Sequence, residues 1–194
     1  MSKKYIFLDM DDVTLDTTNY LIKWHNKPWP FDDPKNCGNR NIAQILGMSY
    51  RECWEDLPVE FWATIPWTPW GEAMVAEAEK YFPDQVYLLT SPIPNGVCSH
   101  GKQLWVNKNM PEYKNKMIIG HKKYVVVNED GLLIDDSYTN EEKFDKAGKS
   151  ESFFLFPSYQ NKYSGIMGAM YKDPQLAINL IRNELVEEQL EEAE

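Results

Sequence analysis

Apolar residues along this chain gather in short runs, and each run stops at acids, hydroxyls or glycine. "YIFLD" (5–9), "VYLLTS" (86–91), "KMIIG" (116–120), "GLLIDD" (131–136) and "SFFLF" (152–156) have strand length and read as buried strands. The stretches between them carry helix signals. "GEAMVAEAEKYF" (71–82) lies between Pro69 and Pro83, and "SHGKQLWVNKNM" (99–110) ends before Pro111. "TNEEKFDKAG" (139–148) has Thr139 as its expected cap and Gly148 as its stop. A C-terminal amphipathic helix opens at Asp173 as cap, with Pro174 in its first turn. Strands alternating with helices predict a Rossmann-like, three-layer α/β/α fold, a parallel sheet covered on both faces. Ligands of such sheets bind beyond the carboxyl ends of the strands. Asp9, Thr90 and Asp135 all fall at that edge.

One stretch breaks the alternation. Residues 19–69 are rich in Pro, Asn, Asp and aromatics, and hold Trp24, Trp29, Trp54, Trp62 and Trp67, with Trp70 directly after. The pattern predicts a core of residues 1–18 and 70–194 and a small, mostly helical cap inserted after the first strand. An insert there sits over the strand ends as a lid.

Composition narrows the function. With 194 residues and 43% apolar content, the chain can bury one substantial core. A net charge of −10 argues against a long nucleic acid as partner. Much of the acid lies in the final "EEQLEEAE", which solvates a helix end. No apolar stretch is long enough to span a membrane, and "MSKKYIF" reads as a first strand rather than a signal peptide. Cys37, Cys53 and Cys98 have irregular spacing, so they read as reduced cytoplasmic thiols. Cys98 lacks a companion base that would make it a nucleophile. His25, His100 and His121 are scattered and show no metal-ligand spacing.

The strand ends carry the chemistry. Asp9 and Asp11 lie two apart, so an extended backbone would turn both to one side. Carboxylates that close stay charged only with a cation or a shared proton. One acidic strand end is an ordinary solvated turn, but Asp135 and Asp136 make a second. A hard divalent cation with oxygen ligands resolves the repulsion, and Mg²⁺ suits a site that also holds phosphate oxygens. Thr90 and Ser91 offer hydroxyls and backbone N–H groups for such oxygens. Lys123 could neutralise nucleophile and phosphate, with Lys122 its immediate rival. There is no GxxxxGK[ST] loop for a nucleoside triphosphate.

In order, the chain reads DMDDVT, LLTS, a lysine, then LLIDD. This order resembles the haloacid dehalogenase superfamily of phosphotransferases, whose DxDx(T/V) motif falls on Asp9, Asp11 and Val13. "LLTSPI…K…WV…KYVV…LLIDD", with "FWATIPWTPWGEA" before it, is similar to the 5′(3′)-deoxyribonucleotidase family. The similarity runs from about Phe61 to Asp136 and again over 5–15, and is weak in the insert and beyond Ser150. It implies Asp9 as nucleophile of an aspartyl-phosphate intermediate and Asp11 as acid and base. It implies phosphate held by Thr90, Ser91, Lys102 and Lys123. It also implies Mg²⁺ on Asp9, the Asp11 carbonyl and Asp136, with Asp135 close by. Asp12 departs from the pattern, standing where the family usually has glycine.

Phe61, Trp62 and Trp67 match the family's aromatic stretch and are the expected wall for a nucleobase; packing the insert's own core is the other use of such rings. The expected activity is hydrolysis of (deoxy)nucleoside monophosphates, with a nucleotide as small-molecule partner and a homodimer implied by the resemblance. The alternatives are a phosphatase of another small ester or a nucleic-acid end, and a non-catalytic nucleotide-binding protein.

Overall fold

The structure, a computed structural model, describes residues 3–190, with side chains through 186. All five expected strands form: β1 (Tyr5–Leu8), β2 (Val86–Thr90), β3 (Met117–Ile119), β4 (Gly131–Asp135) and β5 (Phe153–Leu155). They pair in parallel in the order β3-β2-β1-β4-β5. The helices are α1 (Thr17–Trp24), α2 (Ile42–Ile45), α3 (Val59–Thr64), α4 (Gly71–Tyr81), α5 (Val97–Asn109), α6 (Lys123–Val126), α7 (Tyr138–Lys146), α8 (Met167–Lys172) and α9 (Gln175–Leu190). None is long and apolar enough to cross a membrane among the described residues.

Successive strand side chains point to opposite faces, and the two faces build two clusters. Ile6, Leu8, Val86, Leu88, Leu132 and Ile134 pack with Met74 and Ala78 of α4 and Ala177 and Ile181 of α9. Phe7, Leu89 and Leu133 pack with Val127 and with Phe144 of α7. Both faces are therefore covered, which is why the strands are apolar throughout. From central β1 the chain runs outward to β2 and β3, then crosses to β4 and β5 on the other side. That reversal opens a crevice at the carboxyl ends of β1 and β4, where an α/β sheet holds its ligand.

The insert contains α1, α2, a π-helical turn over Arg51–Glu55, and α3. Its buried Leu21, Ile42, Leu57, Phe61 and Ile65 belong to the same cluster as Ile6 and Leu8, so insert and sheet share one core. Helix α1 begins at Thr17, ahead of the expected boundary at 19, with Asp16 at its N-cap position. Two glycines permit close approaches that shape the site. A methyl on Gly101 would lie 2.3 Å from Trp62 Cβ, so α5 meets α3 only there without a side chain. A methyl on Gly71 would lie 2.1 Å from the Thr14 carbonyl oxygen, which seats α4 under the loop after β1.

One helix start differs from expectation. The cap of α7 is Ser137 rather than Thr139: Ser137 Oγ accepts from the Asn140 N–H at 3.3 Å. The chain turns helical directly past Asp136, so Thr139 is already inside the first turn. Gly148 takes φ +69° just past the end of α7, and Asp173 Oδ1 accepts from the Gln175 N–H at 3.2 Å at the start of α9. The side chains of the acidic tail, 187–194, lie outside the described residues.

Candidate active site

The loop after β1 builds the site. The strand ends at Leu8, and Asp9 N–H still donates to the Ile134 carbonyl at 2.9 Å, so Asp9 stands directly beside the end of β4. The chain then coils: Thr14 and Leu15 N–H groups both donate to the Met10 carbonyl, at 3.2 and 2.7 Å. Met10, Val13 and Leu15 are fully buried and anchor the coil from below. The WTPWG segment braces it further, with Trp70 Nε1 donating to the Val13 carbonyl at 2.8 Å and Thr68 Oγ1 to the Val13 and Thr14 carbonyls at 3.2 Å.

The coil separates the two carboxylates that sequence spacing placed side by side, and each meets its own lysine. Asp9 Oδ1 lies 2.7 Å from Lys123 Nζ, which also reaches Asp135 Oδ2 at 2.7 Å. Asp11 Oδ2 accepts from Lys102 Nζ, and its other oxygen accepts from Thr17 Oγ1 at 2.9 Å. Lys102 also donates to Thr90 Oγ1 at 2.7 Å. Both lysines are buried; their partners nonetheless hold them protonated, pKa values raised by Asp11 at Lys102 and by Asp135 and Asp9 at Lys123 against the opposing effect of burial. Lys122 is exposed, so Lys123 is the lysine of the pair that enters the site.

Asp12 occupies the left-handed region at φ +57°, a conformation natural to glycine and tolerated by aspartate. Its carboxylate accepts from the Thr18 N–H at 2.7 Å, from the Thr18 hydroxyl, and from Gln160 Nε2 at 3.2 Å. It thereby ties the first turn of α1 to the segment after β5. Burial, with Asp136 adding to it, raises its carboxyl well above the usual carboxylate range. Asp16 serves the root of the insert, accepting from Tyr171 Oη at 2.6 Å and Asn19 Nδ2 at 2.8 Å.

Asp9, Asp135 and Asp136, all buried, each bring a carboxylate oxygen within 4.8 Å of the others. Three carboxylates against the single ammonium of Lys123 leave a negative excess that fits a hard divalent cation. Burial, first of all, pushes the Asp9 carboxyl up to about 8 and that of Asp136 to about 6. The oxygens of Asp135 already accept from Ser137 N–H at 2.7 Å, Lys123 at 2.7 Å and Asn140 Nδ2 at 3.0 Å. Asp9 and Asp136 are therefore the better donors, and Asp135 holds Lys123 in place. The Asp11 carboxylate is engaged elsewhere and is not part of this cluster.

These groups face a cavity of about 300 Å³, lined by Asp9, Asp11, Asp12, Ser91, Lys123 and Asp136 on the sheet side. Thr90 and Lys102 are fully buried and absent from its wall, so two of the four expected phosphate holders stand behind it. Of the expected aromatic wall only Trp62 lines the cavity. Phe61 is buried in the insert, stacked on Tyr20 with centroids 5.1 Å apart. Trp67 packs edge-on against Trp105 at 4.7 Å and lines a separate groove with Val75 and Tyr113. Consecutive residues on a helix are rotated by about 100°, so neighbours Phe61 and Trp62 on α3 point in different directions.

The sequence reading missed Trp54, Arg40, Thr17, Asn140 and Gln160, all on the cavity wall. Trp54 stacks on Trp62, with centroids 6.1 Å apart and planes 21° from parallel. Only Trp54 had a signal, as one of many tryptophans in the insert. Cys98 also reaches the cavity, but burial raises its thiol pKa, which disfavours a nucleophilic thiolate. His100 and His121 are exposed and His25 meets the Cys53 carbonyl at 3.2 Å, away from the carboxylates.

The sequence matches no protein-family model and no curated protein.

Proposed function

We propose that this protein is a Mg²⁺-dependent phosphomonoesterase of the haloacid dehalogenase type, a nucleotidase that hydrolyses (deoxy)nucleoside monophosphates to nucleoside and phosphate. The observation that carries the reading is Asp9: a buried carboxylate at the switch point of the sheet, held 2.7 Å from Lys123, beside Asp136, in a cavity that the stacked Trp54 and Trp62 also line. The similarity to the 5′(3′)-deoxyribonucleotidase motifs supports it.

Asp9 attacks phosphorus with a carboxylate oxygen, and the bond from phosphorus to the ester oxygen breaks. Asp11 enters this step as the neutral acid and passes its proton to the departing alkoxide, leaving a carboxylate that Lys102 and Thr17 hold in position. Asp11 then takes a proton from water, which displaces phosphate from Asp9. Asp9 and Asp136 would hold Mg²⁺, whose charge keeps Asp9 ionised and offsets that of the phosphoryl group. Lys123, oriented by Asp135, adds its positive charge beside Asp9 Oδ1. Trp54 and Trp62 suit a planar leaving group, since a base on an aromatic face gains roughly 1–3 kcal/mol.

A phosphate-release panel tests the reading: 5′ and 3′ deoxynucleotides and ribonucleotides, with p-nitrophenyl phosphate, in Mg²⁺ and in EDTA. The expected result is Mg²⁺-dependent release that Asp9→Asn lowers at least about a thousandfold, the scale of losing a nucleophile, with circular dichroism unchanged. Release from p-nitrophenyl phosphate alone would leave a phosphatase without nucleotide preference. No release from any ester defeats the proposal.

A further inference from the structure

We propose that Arg40, carried by the insert, contacts the anionic oxygens of the substrate's phosphoryl group, so that the insert completes the anion site as well as covering it. The inference rests on the phosphatase reading, and it starts from how the cations are used. The cavity wall carries four carboxylates, Asp9, Asp11, Asp12 and Asp136, and two cations, Lys123 and Arg40. Lys123 is divided between Asp9 and Asp135. Lys102, the other lysine of the site, lies behind the wall and is spent on Asp11 and Thr90. A dianion entering this cavity therefore meets one cation whose donor capacity is not used up.

Arg40 fits that role in detail. Its Nη1 is buried and has no hydrogen-bond acceptor. A buried donor left in that state is uncommon in folded proteins and marks a place where something else binds. Its guanidinium carbon sits 5.7 Å from the centre of the Tyr138 ring, in the first turn of α7, directly after Asp136 and Ser137. The segment bearing it is pinned nearby, with Gly38 N–H donating to the Tyr159 carbonyl at 2.8 Å. A guanidinium is planar and presents paired N–H groups that match two oxygens of a phosphate. A second observation points the same way: Trp62, 1% exposed and also on the cavity wall, has its indole N–H buried without an acceptor. The two described side chains with such donors both come from the insert, and both line the cavity that holds Asp9.

The test is calorimetric titration of the full-length protein with inorganic phosphate in Mg²⁺, for wild type, Arg40→Ala, Arg40→Gln and Arg40→Lys, beside p-nitrophenyl phosphate turnover. Arg40→Ala should weaken phosphate binding roughly tenfold to a hundredfold, the scale of losing a charged hydrogen bond, with Arg40→Lys recovering part of it. Arg40→Gln keeps the side chain's bulk without its charge, and should bind as weakly as Arg40→Ala. It is the deciding variant if Arg40→Ala does not fold. Phosphate affinity equal to wild type in Arg40→Gln overturns the proposal even if the enzyme is an active phosphatase. Wild-type protein that binds no phosphate overturns it too. Arg40-dependent phosphate binding in a protein that hydrolyses no ester keeps the anion site and removes the phosphatase reading.

Discussion

The sheet edge and the inner face of the insert treat buried polar groups in opposite ways. At the edge the charged groups are paired: Asp9 and Asp135 with Lys123, Asp11 with Lys102, Asp12 with Thr18 and Gln160. On the insert, Arg40 Nη1 and Trp62 Nε1 are buried with no acceptor. In the first region each of these side chains already has a protein partner. The second is left incomplete and gains its missing bonds from what it encloses. The two kinds of burial meet in one cavity, which both regions line.

The pairing at the edge can be broken most severely at Lys123. Lys123→Met strands Asp9 and Asp135 together in the interior and should cost about 3–5 kcal/mol in urea unfolding at neutral pH. Lys102→Met leaves one carboxylate without its ion pair, Asp11, whose side chain is 31% exposed, along with the Thr90 hydroxyl, and should cost less, about 1–3 kcal/mol. Equal losses would show that the partial exposure of Asp11 does not soften the loss of its lysine.

Asp12 comes next. Asp12→Ala loses the contacts to Thr18 and Gln160 and puts a poorly suited residue at φ +57°, so a loss of about 2–3 kcal/mol is expected. Asp12→Asn tolerates the same backbone and keeps part of the bonding, and should cost less than about 1 kcal/mol. A loss in Asp12→Asn as large as that in Asp12→Ala would mean that the charge itself, not the hydrogen bonding, holds the root of the insert.

The metal assignment predicts a pH dependence. Folding raises Asp9 to about 8 and Asp136 to about 6, from 3.8. A carboxyl raised in this way binds its proton more tightly when folded. Its stabilising contribution is full below about pH 4 and is lost as pH rises through its folded value. The urea midpoint of metal-free protein should therefore fall between about pH 4 and 8, and Mg²⁺ should raise it more at about pH 8 than at about pH 5. A larger Mg²⁺ effect at the lower pH would remove these two residues from the cation site.

The smallest effect sharpens the description of the insert's inner face. Trp62→Phe deletes an N–H that has no acceptor, so the unliganded protein should keep its stability within about 1 kcal/mol or gain slightly. A clear loss beyond that would show that the indole N–H has a partner in the free protein.

Much of the frame was legible from residue order. Five apolar runs became five parallel strands because a strand buried on both faces needs apolar residues at every position. The gathering of the acids after β1 and β4 was legible because the switch point of such a sheet collects strand ends. The insert was legible as a break in pattern, but its inner face was not. Whether Phe61 or Trp62 looks into the cavity depends on how α3 is rotated against α5, which a missing side chain at Gly101 allows to come close. Arg40 carried no local signal at all, since a lone arginine in a polar loop reads as a solvated charge.

The sequence by itself determined that carboxylates, hydroxyls and lysines would gather at one edge of a parallel sheet. That follows from strand order and the fixed hand of the crossovers, which act through the backbone and are insensitive to detail. Only the tertiary structure decided which lysine serves which carboxylate, that Asp9 and Asp11 part company, and that Trp54 and Arg40 rather than Phe61 and Trp67 face the cavity. Those choices are made by side-chain packing over a few ångströms, between segments far apart in the chain, and a one-dimensional pattern does not record that geometry.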